Sequence, residues 1–172
     1  MTQTDPRSRT FSWSDPALHA GQLRGRSGLE LLQAMARGEL PPPPVMHLLG
    51  MEGIDAEQGR VVVRLTPQEF HYNPLGSVHG GVLSTLLDTA AACAVHTTLP
   101  AGVGYTSQDL TVKFLRPVTV ESGLLRCEGT VIQRGRRTAL AQAQLTDAAD
   151  RLVAHAISSC MIFDVPPPTP SR

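Results

Sequence analysis

The sequence places one acidic side chain in the middle of an otherwise apolar segment. Val82 to Leu99 is long enough for a helix of several turns, and Asp88 is its only formal charge. Aspartate is a poor residue for a helix interior, and burying an unpaired carboxylate destabilises a fold. Asp88 is therefore a candidate catalytic carboxylate. The residues leave one structural alternative open, in which Ser84 and Thr85, one turn earlier, donate hydrogen bonds to Asp88 or the carboxylate faces solvent.

Two consecutive glycines, Gly80 and Gly81, stand where this helix begins. Backbone N–H groups at a helix start lack intrahelical acceptors and lie at the positive end of the helix dipole, so they could hold an oxyanion or a carbonyl oxygen. A tight turn that needs positive φ explains the glycines equally well. Asn73 and His79 flank this loop and offer side-chain donors, and the histidines of the chain lack the spacing of metal ligands.

Composition and charge limit the classes of function. A chain of 172 residues with 41% hydrophobic content fits one globular domain with one core. Fifteen basic and 15 acidic residues cancel, which argues against nucleic acid or an anionic membrane as a partner. The three cysteines, Cys93, Cys127 and Cys160, are far apart and odd in number, so we expect buried reduced thiols.

The ends of the chain show no signal for secretion or membrane insertion. Met1 to Arg9 lacks an apolar segment, and no stretch is long enough to span a bilayer. We therefore predict a soluble, cytoplasmic protein. We divide the chain into an N-terminal arm with a short helix and a Pro-rich spacer (residues 1–44), a main domain (45–165) and a disordered Pro-rich tail (166–172).

Within the N-terminal part, Met1 to Arg26 shows neither helical nor strand periodicity, which is typical of an arm or a disordered tail. Ser27 and Glu30 form a capping box at the start of a short amphipathic helix, which Gly38 ends. Pro41 to Pro44 is predicted to be a stiff polyproline II spacer.

The main domain shows strand patterns on both sides of the helix. Val61, Val63 and Leu65 alternate with other residues in a strand that starts at Arg60. Four further strands follow the helix: Val103 to Leu115, Val118 to Gln133, Arg136 to Thr146 and Arg151 to Phe163. This order predicts an α+β domain in which an antiparallel sheet wraps one central helix.

The stretch that contains the glycines and Asp88 resembles a known family. The pattern N-x-x-G-x-x-H-G-G, with an aspartate nine positions after the histidine, is similar to hotdog-fold thioesterases of the phenylacetate-degradation type. The similarity covers Leu48 to Phe163 and includes T-S-Q-D-L-T-V-K-F-L-R-P and R-G-R-R-T. The matching residues of the first pattern are Asn73, Gly76, His79, Gly80, Gly81 and Asp88.

This resemblance implies a hotdog fold and hydrolysis of an aryl- or fatty-acyl-CoA without a metal or organic cofactor. It also implies a homodimer with active sites between the subunits, assembled further as a dimer of dimers. Asp88 matches the family's nucleophile or general base, and Gly80 matches its oxyanion donor. Asn73 and His79 match groups that orient the carbonyl and the loop.

The resemblance assigns a water-positioning hydroxyl to Ser107, or to Thr106 if the alignment slips by one residue. Gly81 joins Gly80 as a candidate contact to the substrate. Five basic residues are candidates for contacts to the phosphates of coenzyme A: Lys113, Arg116, Arg134, Arg136 and Arg137. The alternative for these charges is a solvated hairpin tip and an edge strand protected from aggregation.

Two other functions remain open from the sequence. A hydratase or dehydratase of the same fold would favour a histidine as base, whereas the acid at Asp88 favours hydrolysis. A non-catalytic acyl-CoA-binding regulator would need an effector module, for which the helix at Leu29 to Leu40 is too short. Gly80 and Asp88 lie about 12 Å apart along one helix, so we expect a two-fold axis to bring Gly80 of one subunit towards Asp88 of the other.

Overall fold

The computed structural model describes residues 6–166. Most of the predicted tail, 166–172, and the first five residues of the arm lie outside this range. The helices are α1 (Ala17–Gln22), α2 (Gly28–Ala36), α3 (Pro44–Leu49) and α4 (Gly80–His96). The strands are β1 (Met51–Glu57), β2 (Arg60–Leu65), β3 (Val103–Ser107), β4 (Thr111–Phe114), β5 (Leu125–Arg134), β6 (Thr138–Thr146) and β7 (Leu152–Asp164).

The strands form one antiparallel sheet of seven strands, in the order β1-β2-β5-β6-β7-β3, with β4 also paired to β7. The long helix α4 packs against β2, β5, β6 and β7. Its buried face interdigitates with alternate residues of β5, β6 and β7, which together make the core. The predicted α+β architecture, a hotdog fold with the sheet curled around one central helix, is confirmed.

Helix α4 comes unusually close to the sheet at β5. A Cβ atom added to Gly129 would lie 2.1 Å from the carbonyl oxygen of Ala90, so backbone meets backbone at this point. The small side chains on this face of the helix permit that approach, and Ala90, Ala91 and Ala94 are fully buried. The helix begins two residues before the predicted segment and ends three residues earlier.

The sheet differs from the prediction in three places. Strand β1 is not predicted from the sequence, because its residues alternate poorly and include Gly53 with a φ of 66°. The predicted strand Val103 to Leu115 is wrong as one unit, since it is broken between β3 and β4. The strand predicted from Val118 begins only at Leu125, after a short 3-10 turn at Val120–Ser122.

The N-terminal part is more ordered than the sequence predicts. Residues 17–22 of the predicted arm form α1, which is too short for its periodicity to be detected. The capping box of Ser27 and Glu30 is confirmed at the start of α2. The predicted spacer ends in a helix, since α3 begins at Pro44 with the last proline at its first position. Within residues 6–166, no helix combines the length and the apolar character that a membrane crossing requires.

Candidate active site

Asp88 lies half-buried in the middle of α4 and has a hydrogen-bonding partner on β3. The hydroxyl group of Ser107 donates to Oδ1 of Asp88 at 2.8 Å. The alternative in which Ser84 and Thr85 donate hydrogen bonds to Asp88 is wrong. The Thr85 hydroxyl donates instead to the carbonyl oxygen of Gly81 at 2.9 Å, and no hydrogen bond joins Ser84 to Asp88 within the described residues.

The break between β3 and β4 fixes the position of Ser107. Ser107 pairs with Cys160, and Thr111 pairs with Ile157. The segment from β3 to β4 therefore advances four residues where β7 advances three. This extra residue is a bulge, which re-aims the strand. The Asp109 carboxylate holds it in place by accepting a hydrogen bond from the Ser159 amide at 3.1 Å. Ser107 therefore ends β3 with its hydroxyl group towards α4.

A cavity of about 480 Å³ surrounds Asp88. One side is formed by residues of α4 at helical spacing, the other by consecutive residues of β3 together with the end of β7. The residues from these elements are Asp88, Thr89, Ala92, Cys93, His96, Gly104, Tyr105, Thr106, Ser107 and Phe163. Both hydroxyl candidates, Ser107 and Thr106, lie at this cavity, but the hydrogen bond to Asp88 comes from Ser107.

Burial keeps the other titratable groups of this cavity uncharged at neutral pH. It lowers the pKa of His96 to about 4 and raises the pKa of the Cys93 thiol to about 11. The pKa of Tyr105 is also raised well above its usual range by burial, and its hydroxyl group lies 3.9 Å from the Cys93 sulfur. The carboxylate of Asp88 is thus the formal charge of the cavity, and Cys93 is not a thiolate nucleophile.

The cysteines follow the sequence prediction in part. All three are free, and Cys127 and Cys160 are buried, whereas Cys93 is only half-buried. Burial raises the pKa of the Cys127 and Cys160 thiols.

The glycines at the start of α4 have different roles. His79 is the N-cap, and its Nδ1 accepts a hydrogen bond from the Gly81 amide at 2.9 Å. The His79 amide donates to the carbonyl oxygen of His71 at 2.8 Å, which holds the loop against the preceding turn. Within residues 6–166, no acceptor takes the N–H of Gly80. The Gly80 amide is therefore the one at this helix start that remains available to a substrate oxygen.

Asn73 organises the loop before α4. Its Oδ1 accepts hydrogen bonds from the amides of Leu75 at 2.9 Å and Ser77 at 3.3 Å. Its Nδ2 donates to the Ser77 hydroxyl at 3.1 Å. Asn73 therefore orients the loop, and a cavity of about 340 Å³ lies beside Asn73 and Gly80.

Asp88 and Gly80 lie at different cavities. The cavity at Gly80 and the cavity at Asp88 have no lining residue in common. Eight residues of one helix separate the two, which corresponds to about 12 Å along its axis. The chain thus presents two half-sites, one with the carboxylate and one with the free backbone amide.

The five basic candidates do not lie together. Arg134, Arg136 and Arg137 line one cavity of about 720 Å³ at the β5–β6 turn. Arg116 lines the cavity at Gly80 instead, and Lys113 is exposed on β4 opposite His155. The arginine cavity adjoins the Asp88 cavity, because Phe163 lines both.

Several site residues escaped the sequence analysis. Cys93 and His96 share the helical face of Thr89, at spacings of four and seven residues, and Tyr105 shares the strand face of Ser107. The spacing of Tyr105 from Ser107 is visible in the sequence, whereas Cys93 and His96 follow Thr89, the residue after Asp88. His71 gave no such signal: its Nδ1 accepts from the Gln68 amide at 2.9 Å, and its Nε2 lies 2.8 Å from the Leu49 carbonyl oxygen.

Within residues 6–166, no group of three or more histidine, cysteine, aspartate or glutamate side chains is arranged to hold a metal ion.

The chain is similar to known esterases and thioesterases. Residues 75–154 match the thioesterase superfamily. A protein of Halobacterium salinarum, provisionally named an esterase, is 32% identical over 111 residues, which are 62% of this chain and 72% of that protein. The 1,4-dihydroxy-2-naphthoyl-CoA hydrolase of Listeria monocytogenes is 26% identical over 118 residues, covering 69% of this chain and 93% of the hydrolase.

A solved structure with the same fold comes from Ralstonia eutropha. It is a phenylacetic acid degradation-related protein, provisionally named a thioesterase, with 34% identity and a TM-score of 0.68. The alignment covers 76% of this chain and 98% of that one.

Proposed function

The chain belongs to the thioesterase superfamily and is a thioester hydrolase, and from this premise we propose that it cleaves acyl-coenzyme A to the free acid and coenzyme A. The acyl group is an aryl- or fatty-acyl group. The name of the Listeria relative, a coenzyme A thioester hydrolase, supports this substrate class. The observation that carries the proposal is the hydrogen bond from Ser107 to the Asp88 carboxylate, in a cavity whose other titratable groups are neutral.

Asp88 acts as general base or as nucleophile. As a base, it takes a proton from a water molecule whose oxygen attacks the thioester carbonyl carbon; the C–S bond then breaks, and the thiolate leaves and is protonated. As a nucleophile, its oxygen bonds to the carbonyl carbon while the C–S bond breaks and the thiolate leaves and is protonated; water then hydrolyses the mixed anhydride to the free acid and restores Asp88. Because the Ser107 hydroxyl donates its hydrogen bond to Asp88, its oxygen is free to accept a hydrogen bond from that water and position it.

The Gly80 amide stabilises the oxyanion that forms on the carbonyl oxygen. Losing one such donor typically lowers the rate by about 10² to 10³. Since Gly80 and Asp88 of one chain are too far apart for one carbonyl group, the active site combines Asp88 of one subunit with Gly80 of the other. A homodimer with two shared sites follows, and a dimer of dimers extends it.

Coenzyme A binds with its phosphates at Arg134, Arg136 and Arg137. Phe163 lines both the arginine cavity and the Asp88 cavity, which supports binding of one extended molecule across the two. Guanidinium groups bind phosphate through paired charge-assisted hydrogen bonds. The reaction runs with water and these side chains and uses no metal or organic cofactor. The three free thiols are typical of a reducing compartment, so we propose a cytoplasmic enzyme.

The test is hydrolysis of a panel of aryl- and fatty-acyl-CoA substrates, followed with a thiol reagent. We expect Asp88→Asn to abolish turnover while the fold and the binding of coenzyme A persist, because the charge is removed at nearly constant volume. The matched control is Asp150→Asn, a carboxylate in the exposed β6–β7 turn with a φ of 56°, which asparagine tolerates. Turnover by Asp88→Asn within a few fold of wild type would refute the role of Asp88.

A further inference from the structure

Part of the Asp88 cavity is built by residues that precede the sheet. Four side chains from the N-terminal part line it: Leu23, Pro43, Val45 and Met46. We call these four residues the N-terminal wall. All four residues are apolar, whereas the polar groups, Asp88 and Ser107, come from α4 and β3. The cavity thus has an apolar side provided by the extension.

The first half of this wall is fixed to the domain by backbone contacts. The carbonyl oxygen of Leu23 accepts a hydrogen bond from the Gly102 amide at 2.8 Å, and the Gly28 amide donates to the Leu99 carbonyl oxygen at 3.0 Å. A Cβ atom on Gly28 would lie 1.9 Å from the carbonyl oxygen of His96. Helix α2 therefore starts in direct contact with the end of α4.

The second half of the wall is fixed through α3. Met46 is buried at 5% exposure. The Leu49 carbonyl oxygen accepts a hydrogen bond from Nε2 of His71, at 2.8 Å. The Arg9 guanidinium donates to the His47 carbonyl oxygen at 2.9 Å and stacks 4.1 Å from the ring centre of Phe70. These contacts connect the C-terminal half of α3 to the 3-10 turn at Glu69–His71, directly at Leu49 and through Arg9 at His47. The wall residues of α3 therefore lie on a segment that is attached to the domain.

The charge of the cavity limits the acyl groups that it can bind. Asp88 supplies a negative charge, and among residues 6–166 of one chain no lysine or arginine lines the cavity. An acyl group that carries its own carboxylate would meet the Asp88 carboxylate without a compensating cation. An uncharged acyl group meets only apolar and neutral polar surface.

We propose that the N-terminal wall is the acyl-length determinant of this enzyme: an uncharged acyl group extends from the thioester at Asp88 to Val45 and Met46, which limit its length. This inference rests on the proposed acyl-CoA hydrolysis and adds a class of substrate to it. It also gives the N-terminal extension a role in substrate selection, while Asp88 and Ser107 carry out the reaction.

The proposal can be tested by making the side chain at position 45 either larger or smaller. The Val45 side chain is 41% exposed, so a larger residue fits without unfolding α3. The matched control is Leu48, which lies on the same helix, is 47% exposed and is not among the residues of the cavity. Purified full-length Val45→Trp, Val45→Ala and Leu48→Trp are assayed against straight-chain substrates from acetyl- to palmitoyl-coenzyme A.

With Val45→Trp we expect kcat/KM for the longest substrates that wild type accepts to fall by about tenfold, since a few methylene groups lose their space. The value for acetyl-coenzyme A stays unchanged. Val45→Ala shifts the optimum to longer chains, and Leu48→Trp follows wild type. In wild type, butyryl-coenzyme A is cleaved faster than succinyl-coenzyme A, which has the same number of carbon atoms and a carboxylate.

An unchanged chain-length profile in both Val45 variants overturns the role of the wall and leaves acyl-CoA hydrolysis standing. A loss that includes acetyl-coenzyme A overturns it too, because it shows damage to the reaction centre. Equal rates with butyryl- and succinyl-coenzyme A refute the preference for uncharged groups. If wild type cleaves neither straight-chain nor aryl-coenzyme A substrates, the proposed function fails, and the wall proposal fails with it. If it cleaves only aryl-coenzyme A, the wall proposal fails and acyl-CoA hydrolysis stands.

Discussion

The stability of this protein should depend on pH through His96, a histidine buried between α4 and the N-terminal part. Its pKa is about 4 in the folded chain because burial disfavours the charged ring, whereas an unfolded histidine titrates near 6.5. Between these values the unfolded chain binds more protons than the folded one. Stability therefore rises with pH in this window and is lost as the pH falls.

The size of the effect follows from the two pKa values. Each tenfold difference in proton affinity corresponds to about 1.4 kcal/mol, so the loss is about 2 kcal/mol at pH 5 and approaches about 3 kcal/mol at lower pH. The variant His96→Gln keeps a neutral side chain at every pH and lacks this term. We expect the free energy of unfolding of wild type to fall more steeply than that of His96→Gln between pH 7.5 and pH 5, by about 2 kcal/mol.

Urea denaturation at fixed protein concentration measures this difference, since dimer formation would otherwise change the apparent stability. Far-ultraviolet circular dichroism is the appropriate signal, because the single tryptophan, Trp13, is 59% exposed. Comparing wild type with His96→Gln at each pH cancels the contributions of the other titrating groups to the stability. These groups include His71, whose pKa is also lowered by burial. His155→Gln, on β7, controls for the loss of a histidine elsewhere. Parallel pH dependences for wild type and His96→Gln would refute the argument.

Three further predictions concern the active site. Co-refolding Asp88→Asn with the double variant Asn73→Ala, His79→Ala should restore roughly a quarter of wild-type activity. Half of randomly paired dimers are mixed, and each mixed dimer has one intact site. If no activity returns although a tagged pull-down shows subunit exchange, the shared site is contradicted. The double variant Arg136→Ala, Arg137→Ala should raise KM for acyl-CoA, leave kcat nearly unchanged and flatten the salt dependence of KM, whereas an unchanged KM supports the solvated-hairpin alternative. Activity should survive exhaustive treatment with EDTA, and its loss, restored by added metal, contradicts the proposed cofactor-free reaction.

Local signals in the sequence were sufficient for the central helix and most of the sheet. The apolar segment around Asp88 and the alternation in β2 and β6 depend only on neighbours along the chain, and all three elements are present. The partner of Asp88 came from the family resemblance, since nothing near Ser107 in the sequence indicates the bulge that turns it towards α4.

The contribution of the N-terminal part could not be predicted for a different reason. Leu23 lines the Asp88 cavity because the segment before α2 contacts the end of α4, and Val45 and Met46 line it because His71 and Arg9 hold α3. All of these contacts join residues that are far apart in the chain. A capping box and a run of prolines define local structure but carry no information on where that structure packs. The same limit applies to β1. This strand forms by pairing with β2, and its own residues do not show a strand pattern.

The contact between Gly129 and Ala90 affects how this protein can change through mutation. Because the backbone of β5 touches the backbone of α4 there, any side chain at position 129 would have to displace the helix from the sheet. Asp88, two residues before Ala90, would move with it and leave Ser107 behind. Position 129 should therefore accept no residue but glycine in a library selected for activity, although it lies on the core side of the sheet, away from the residues that contact substrate. Substitutions at Val45, on the N-terminal wall, can therefore change which substrates fit. Substitutions that change the distance between α4 and the sheet, and with it the position of Asp88, are not tolerated.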